Sequence, residues 1–542
     1  MAILNFKGKA FVQNYHLQVK YHQLIPRKNK SLTKKVSFHD NLIIHGDNLK
    51  ALKALLPTYA GKIKCIYIDP PYNTGNEKWV YNDNVNSPMM QDWLGKVVDK
   101  EDLTRHDKWL CMMMPRLKLL KELLSEDGVI FVSIDDNEQH RLRILMDIIF
   151  GEDNFITNII WQKKYSPQND AKYFSDMHDF IIVYAKKKNI GQEVDGWERN
   201  LLERTSEQNA RYKNPDNDPR GPWKPADFSV KSYSEAYDYE ITTPSGRKVN
   251  PPKGRCWSTS FENFKKWCED NRVWFGKNGN NVPSIKIFLS EVREGIVPLS
   301  IWFRDDVGDN EFARKSIKEI FGDKQLPFEN PKPQTLIQRI AEISTDKNSI
   351  ILDSFSGSGT TAHAVLSLNK EDGGNRKFIL VECEDYADKI TAERVRRVIK
   401  GVPKAKDENL KKGLGGSFSY FDLGPPIEME EILSGDNFPS YEDLARYVFY
   451  TATGEEFDPD LVNEKKNFIG ESKDYLVYLF YKPDIEFLKA TALTLDKAKA
   501  LGPYKKKRRL VFAPTKYLDQ EHLDELRIDF AQLPFEIYQL VK

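Results

Sequence analysis

Apolar positions between residues 40 and 186 fall into two textures. Short unbroken apolar runs ("NLIIHGDN", "IKCIYIDPPY", "VIFVSIDD", "HDFIIVYAK") each close on a polar or turn-forming group. Such runs suit strands buried on both faces of a sheet. Between them lie segments of helical period. "LKALKALLPTYAGK" is one, and "EQHRLRILMDIIF" is another. From Asp107 to Leu124, Leu110, Met113, Met114, Leu117, Leu120, Leu123 and Leu124 recur at helical spacing. Strand and helix in alternation predict a parallel sheet covered on both sides.

From 187 to about 313 the texture changes to Asn, Asp, Pro, Gly, Trp and Tyr, with short strand-like pieces and no long helical period. The α/β rhythm resumes across 330–386 and ends in a Gly- and Lys-rich linker near 400–417. The expected division is an N-terminal segment (1–36), a first sheet half (37–190), an insert (191–313), a second sheet half (314–415) and a small C-terminal α/β domain (416–542).

Composition narrows the class only a little. The 542 residues are 40% hydrophobic and 30% charged, with a net charge of +1. That total neither requires nor excludes nucleic acid, because local patches decide. The five cysteines are scattered and form no Cys-x-x-Cys pair. No metal site or disulfide framework is therefore expected, and the setting reads as reducing and cytoplasmic. No apolar run approaches the length of a membrane span, and the N-terminus lacks the apolar core of a signal peptide.

Two constellations carry chemistry. In "IILDSFSGSGTTAHAV" a strand ends at Asp353, a turn holds Gly357 and Gly359, and a helix begins near Thr360. Glycines allow tight curvature there, and a helix N-terminus offers free N–H groups. Ala362 stands where a dinucleotide fingerprint has its third small residue. The turn therefore leaves NAD and other adenosine ligands open. Glu382 closes the next strand, where an acid can accept hydrogen bonds from ribose hydroxyls.

In "CIYIDPPYNTGN" an apolar strand ends in Asp69-Pro70-Pro71-Tyr72. Proline lacks an N–H and favours extended geometry before it. Strand C-termini in open α/β sheets face the ligand crevice. Asp69 and the Pro70 carbonyl are acceptors and Tyr72 is a stacking plate, a set that suits a flat group with an exocyclic amine.

Asp-Pro-Pro-Tyr followed later by Phe-x-Gly-x-Gly resembles the amino-methyltransferases of DNA, and the motif order resembles their β class. "YIDPPYNTGNEKWVYNDN", "LLSEDGVIFVSIDDNE" and "FENPKPQTLIQRI" resemble the modification subunit of type III restriction–modification systems. The resemblance implies a Rossmann-like S-adenosylmethionine-dependent methyltransferase fold, circularly permuted and mostly parallel. A target-recognition insert and a small C-terminal α/β domain complete it. It also implies methyl transfer from S-adenosyl-L-methionine to N6 of a flipped-out adenine, with Asp69, Pro70, Pro71 and Tyr72 catalytic. Asp353, Phe355, Gly357, Gly359 and Thr360 would surround the cofactor, with Glu382 on the ribose. Lys332 would lie near the cofactor carboxylate, and Asp47 near the adenosine or simply at a helix N-cap. Asp135 and Asp136 read as structural.

For DNA contact the candidates are Asn73, Lys163, Lys164, Arg211, Arg220 and Arg255, the last three amid the aromatics of the insert. The polar loop after Tyr72 is expected to close over the flipped base. The expected partners are double-stranded DNA, a second copy of the chain and a separate helicase–nuclease restriction subunit. The alternatives are a cytosine-N4 enzyme and a non-catalytic DNA-recognition subunit.

Overall fold

The computed structural model describes residues 4–75, 105–167, 169, 171–189, 196–292, 294–322, 327–428, 432, 437–504 and 506–533. The loop expected to close over a base continues into 76–104, outside the described residues. The chain divides into two compact units, Met1–Asn200 with Leu299–Lys542, and Leu201–Pro298.

The larger unit is built on a ten-stranded sheet. Its strands are β1 (His22–Pro26), β2 (Leu42–His45), β3 (Ile63–Ile68), β4 (Leu124–Ile134), β5 (Phe155–Gln162), β6 (His178–Ala185), β7 (Ile301–Trp302), β8 (Ile350–Asp353), β9 (Lys377–Glu382) and β10 (Ser419–Pro426). They run in the order β1-β10-β2-β9-β8-β3-β4-β6-β5-β7. Only β1 and β6 oppose the common direction. The central strands β2, β3, β8 and β9 are almost wholly buried, as unbroken apolar runs require.

The covering helices include α1 (Asn48–Tyr59), α2 (Arg105–Leu123), α3 (Gln139–Phe150), α4 (Gln334–Ser344), α5 (Thr360–Asp372) and α6 (Glu393–Lys400). The Leu and Met stripe of α2 is buried in the main core with α1 and β3. Ile351 of β8 pairs Cys65 of β3, and Leu352 pairs Ile66. This register brings the loops after both strands to the same edge of the sheet.

Three boundaries differ from the sequence reading. β1 makes the N-terminal segment an edge of the main sheet, paired to β10. β10 in turn pairs β2, so 419–426 belongs to the sheet rather than to a separate C-terminal domain. Residues 299–313 lie in the larger unit because β7 pairs β5. The remainder of the C-terminal region forms its own four-stranded sheet of Phe468–Glu471, Tyr475–Leu479, Arg508–Ala513 and Ile528–Gln532. It lies in the same compact unit as the main sheet.

The smaller unit has a three-stranded antiparallel sheet and an aromatic core. Phe228 stacks on Trp257 at 5.2 Å between ring centroids, with Phe264 beside them.

Candidate active site

The loops after β3 and β8 share one cavity of about 880 Å³. Asp69, Pro70, Tyr72, Lys332, Asp353, Phe355, Gly357 and Thr360 all line it. The proline-stiffened loop is held from behind. Trp109 Nε1, fully buried on α2, donates to the Pro71 carbonyl at 2.7 Å. Asn73 adopts φ +58° and is 1% exposed. Its Nδ2 donates to Glu138 Oε1 at 2.5 Å, and His106 Nδ1 sits on the same oxygen at 2.5 Å. A buried side chain so engaged is an anchor, which corrects its reading as a DNA contact.

Lys332 Nζ lies 2.5 Å from Asp69 Oδ2 and 5.1 Å from the centroid of the Tyr72 ring. The lysine expected beside a cofactor carboxylate is instead paired with Asp69, because a half-buried ammonium and a carboxylate in one cleft compensate each other. Asp69 Oδ1 is buried with no hydrogen-bond partner among the described residues. Burial, then the Asp69 carboxylate, pushes the Tyr72 phenol well above its usual range.

Behind the Gly-rich turn, Asp353 Oδ2 accepts from Thr361 Oγ1 at 2.5 Å and Oδ1 from the Phe355 N–H at 3.1 Å. Burial raises its pKa to about 7. Gly357 and Gly359 take φ of +49° and +77°, the region that favours glycine. A Cβ on Gly359 would approach the Thr391 carbonyl to 3.0 Å.

Glu382 is buried behind this turn. It accepts from the Gly357 N–H at 2.7 Å and the Glu384 N–H at 3.1 Å, and burial lifts its pKa to about 8. Its carboxylate is committed to backbone, not turned to the cavity as a ribose ligand would be. Asp47 caps α1 by accepting from the Lys50 N–H at 3.1 Å, and pairs with Arg116 at 3.4 Å. Of the two roles open to it in the sequence, the structure supplies the N-cap. Asp135 accepts from the Asn137 N–H and Nδ2 at 2.9 and 2.8 Å, a turn-forming role.

Asp179, at the start of β6, went unread. It lines the cavity, and burial raises its pKa to about 6 against the pull of Lys163 and Lys332. Because β6 runs antiparallel to β4, its first residues lie where the parallel strands end. An acid at the head of a buried run is the signal, and it is useful only once the reversal is known.

The cations named for DNA divide. Lys163 pairs with Asp176 and Asp179 at 2.8 and 2.6 Å. Arg220 pairs with Asp218 and Asp270 at 2.9 and 3.0 Å, and Arg255 with Asp227 at 2.9 Å. These three are held in local ion pairs, because the interspersed acids sit close in space and not merely in sequence. Lys164 lines the cavity and Arg211 is exposed.

Residues 63–393 match the family model described as DNA methylase (N6_N4_Mtase). The Mod subunit of the type III restriction-modification enzyme StyLTI of Salmonella typhimurium is 32% identical over 479 residues, covering 83% of this chain and 70% of that protein. The EcoPI Mod subunit of Escherichia phage P1 is 32% identical over 456 residues, covering 73% and 68%. The type II methyltransferase M.KpnI of Klebsiella pneumoniae is 31% identical over 355 residues, covering 62% and 79%.

Proposed function

The chain belongs to the DNA methylase family and is a DNA methyltransferase, and from that premise we propose that it methylates N6 of a flipped-out adenine in duplex DNA, with S-adenosylmethionine as donor. The observation that carries the proposal is the β3–β8 register, which brings Asp69 and the Gly-rich turn to one cavity.

The cavity fits such a cofactor. Its volume of about 880 Å³ is in the range of nucleotide-sized sites, and hydroxyls at the start of α5 stand on its wall. When bound there, S-adenosylmethionine supplies an electrophilic methyl group. The chain's own part is positioning and electrostatics. Lys332 fixes Asp69 through Oδ2, which leaves Oδ1 to accept from the base's amine. The Pro70 carbonyl accepts the second amine hydrogen. Two such hydrogen bonds favour a tetrahedral nitrogen and localise its lone pair for in-line attack. The target atom is out of reach inside a duplex, so the base leaves the stack. Tyr72 receives its face, as aromatic plates do for extruded bases.

Adenine rather than cytosine rests on the acid at the first position of the tetrapeptide. The same reading takes a second copy of the chain and a restriction subunit as partners, in the cytoplasm. No described helix is long and apolar enough to cross a membrane. The test is transfer of labelled methyl groups to duplex DNA, with the product hydrolysed to nucleosides. N6-methyl-2′-deoxyadenosine is expected. Label in N4-methyl-2′-deoxycytidine would transfer the assignment to the other base, and no label would leave a recognition subunit.

A further inference from the structure

Behind the Gly-rich turn lies a cation with no carboxylate partner among the described residues. Arg394, in the first turn of α6, is 1% exposed. Burial lowers its pKa to about 9, so it stays charged at neutral pH. Its Nη1 donates to Ser358 Oγ at 2.9 Å and to Thr360 Oγ1 at 2.7 Å. Nη2 lies 3.4 Å from Nδ1 of His363, a buried imidazole held neutral by burial and by the arginine itself. Nε is buried with no hydrogen-bond partner among the described residues.

A buried charge without a counter-ion costs several kcal/mol. Here a second positive pole adds to the cost. Ser358, Gly359 and Thr360 form the start of α5, whose free N–H groups and dipole are themselves positive. The placement is enforced by the backbone. A π-helical turn, Ala387–Ala392, precedes α6, and Thr391 Oγ1 donates to the Gly357 carbonyl at 2.5 Å. Such turns recur at functional sites. An arrangement that joins two positive poles is explained if an anion belongs between them and the cavity.

Ser358 and Thr360 both line that cavity. Their oxygens accept from Arg394, so their hydrogens must point elsewhere. The two oxygens are 3.3 Å apart, so one hydroxyl can donate to the other. At least one donor remains for a ligand. We propose that Arg394 is the positioning residue of an anion subsite at the start of α5, turning the Ser358 and Thr360 hydroxyls toward the α-carboxylate of the cofactor and supplying the charge behind them. This rests on the cofactor reading above, and it assigns the carboxylate to this end of the cavity. Lys332, committed to Asp69, is not its partner.

The test is calorimetric binding of two ligands to the full chain. S-adenosylhomocysteine carries the carboxylate, and its decarboxylated analogue lacks only that group. Arg394→Met is expected to weaken S-adenosylhomocysteine roughly 10- to 100-fold, the worth of a charge-assisted hydrogen bond, and to leave the analogue unchanged. Arg394→Lys, which keeps the charge but not the fork, is expected to lose less, again only with the carboxylate present. It decides the matter if the methionine variant does not fold. Equal losses for both ligands, or no loss, overturn the assignment while leaving the cofactor reading intact. Wild-type protein that binds neither ligand overturns both.

Discussion

The carboxylates of the cleft and those of the 201–298 unit behave in opposite ways. In the cleft, burial raises Asp179 to about 6 and Asp353 to about 7, and behind the Gly-rich turn it raises Glu382 to about 8. In the smaller unit, the Arg220 fork holds Asp218 well below the usual carboxylate range, and Arg272 lowers Glu291. Asp227 is lowered chiefly by the Ser229 N–H. Acids matched to cations or donors stabilise their unit. Acids that burial raises in spite of the cations and donors beside them are a cost that folding alone does not explain, which is the usual mark of a site.

The largest expected effect comes from removing the acid that keeps an unanswered oxygen. Asp69→Ala is expected to lower methyl transfer by about 10³-fold or more, the scale of losing a preorganised transition-state contact. Binding of S-adenosylhomocysteine should change only a few-fold, because the turn after β8 is untouched. Full transfer in the variant would remove Asp69 from the chemistry.

Next in size is a pH effect. Asp353 has a folded pKa of about 7 against an ordinary 3.8. A raised folded pKa gives stability that is complete below about pH 4 and is lost as pH climbs through 7. Paired acids such as Asp218 do the reverse, holding their stability above pH 4 and losing it on acidification. Asp353→Asn keeps an acceptor for the Phe355 N–H and cannot ionise. Its melting temperature, followed by calorimetry without cofactor, should therefore fall less between pH 4 and 7 than that of the wild type. The difference corresponds to a few kcal/mol. Parallel curves would mean that burial of this carboxylate is relieved in some other way.

Backbone-determined features were legible in the sequence, and side-chain partnerships were not. The central strands announce themselves because they are apolar on both faces. β5 does not, since most of its residues are only half-buried and its pattern is mixed. The Asp69 loop and the Gly-rich turn could be read because proline and glycine restrict or free φ wherever they occur. That Lys332 answers Asp69 could not, since they stand 263 positions apart. Arg394 sat unnoticed in a helix with many charges. Its solitude is a property of its surroundings, and a linear pattern does not record surroundings.

The smallest effect tests the paired side of the contrast. Arg220 donates Nε and Nη2 to the two oxygens of Asp218, each at 2.9 Å, and reaches Asp270 through Nη1 at 3.0 Å. The Asp218 side chain is fully buried, with Lys286 at 3.4 Å. Arg220→Ala takes away the planar fork and leaves Asp218 to Lys286 and Asn271. A loss of about 1 to 2 kcal/mol is expected, visible in the unfolding transition reported by Trp223, Trp257 and Trp274. Since the guanidinium is committed within its own unit, the salt dependence of DNA binding should keep its slope. An arginine that neutralised a phosphate would behave otherwise: its removal would flatten that slope by about one counter-ion and spare the unfolding transition. A flattened slope with unchanged stability would therefore show that ion pairing in the 201–298 unit gives way when DNA arrives, and the division between structural and functional charge would have to be redrawn there.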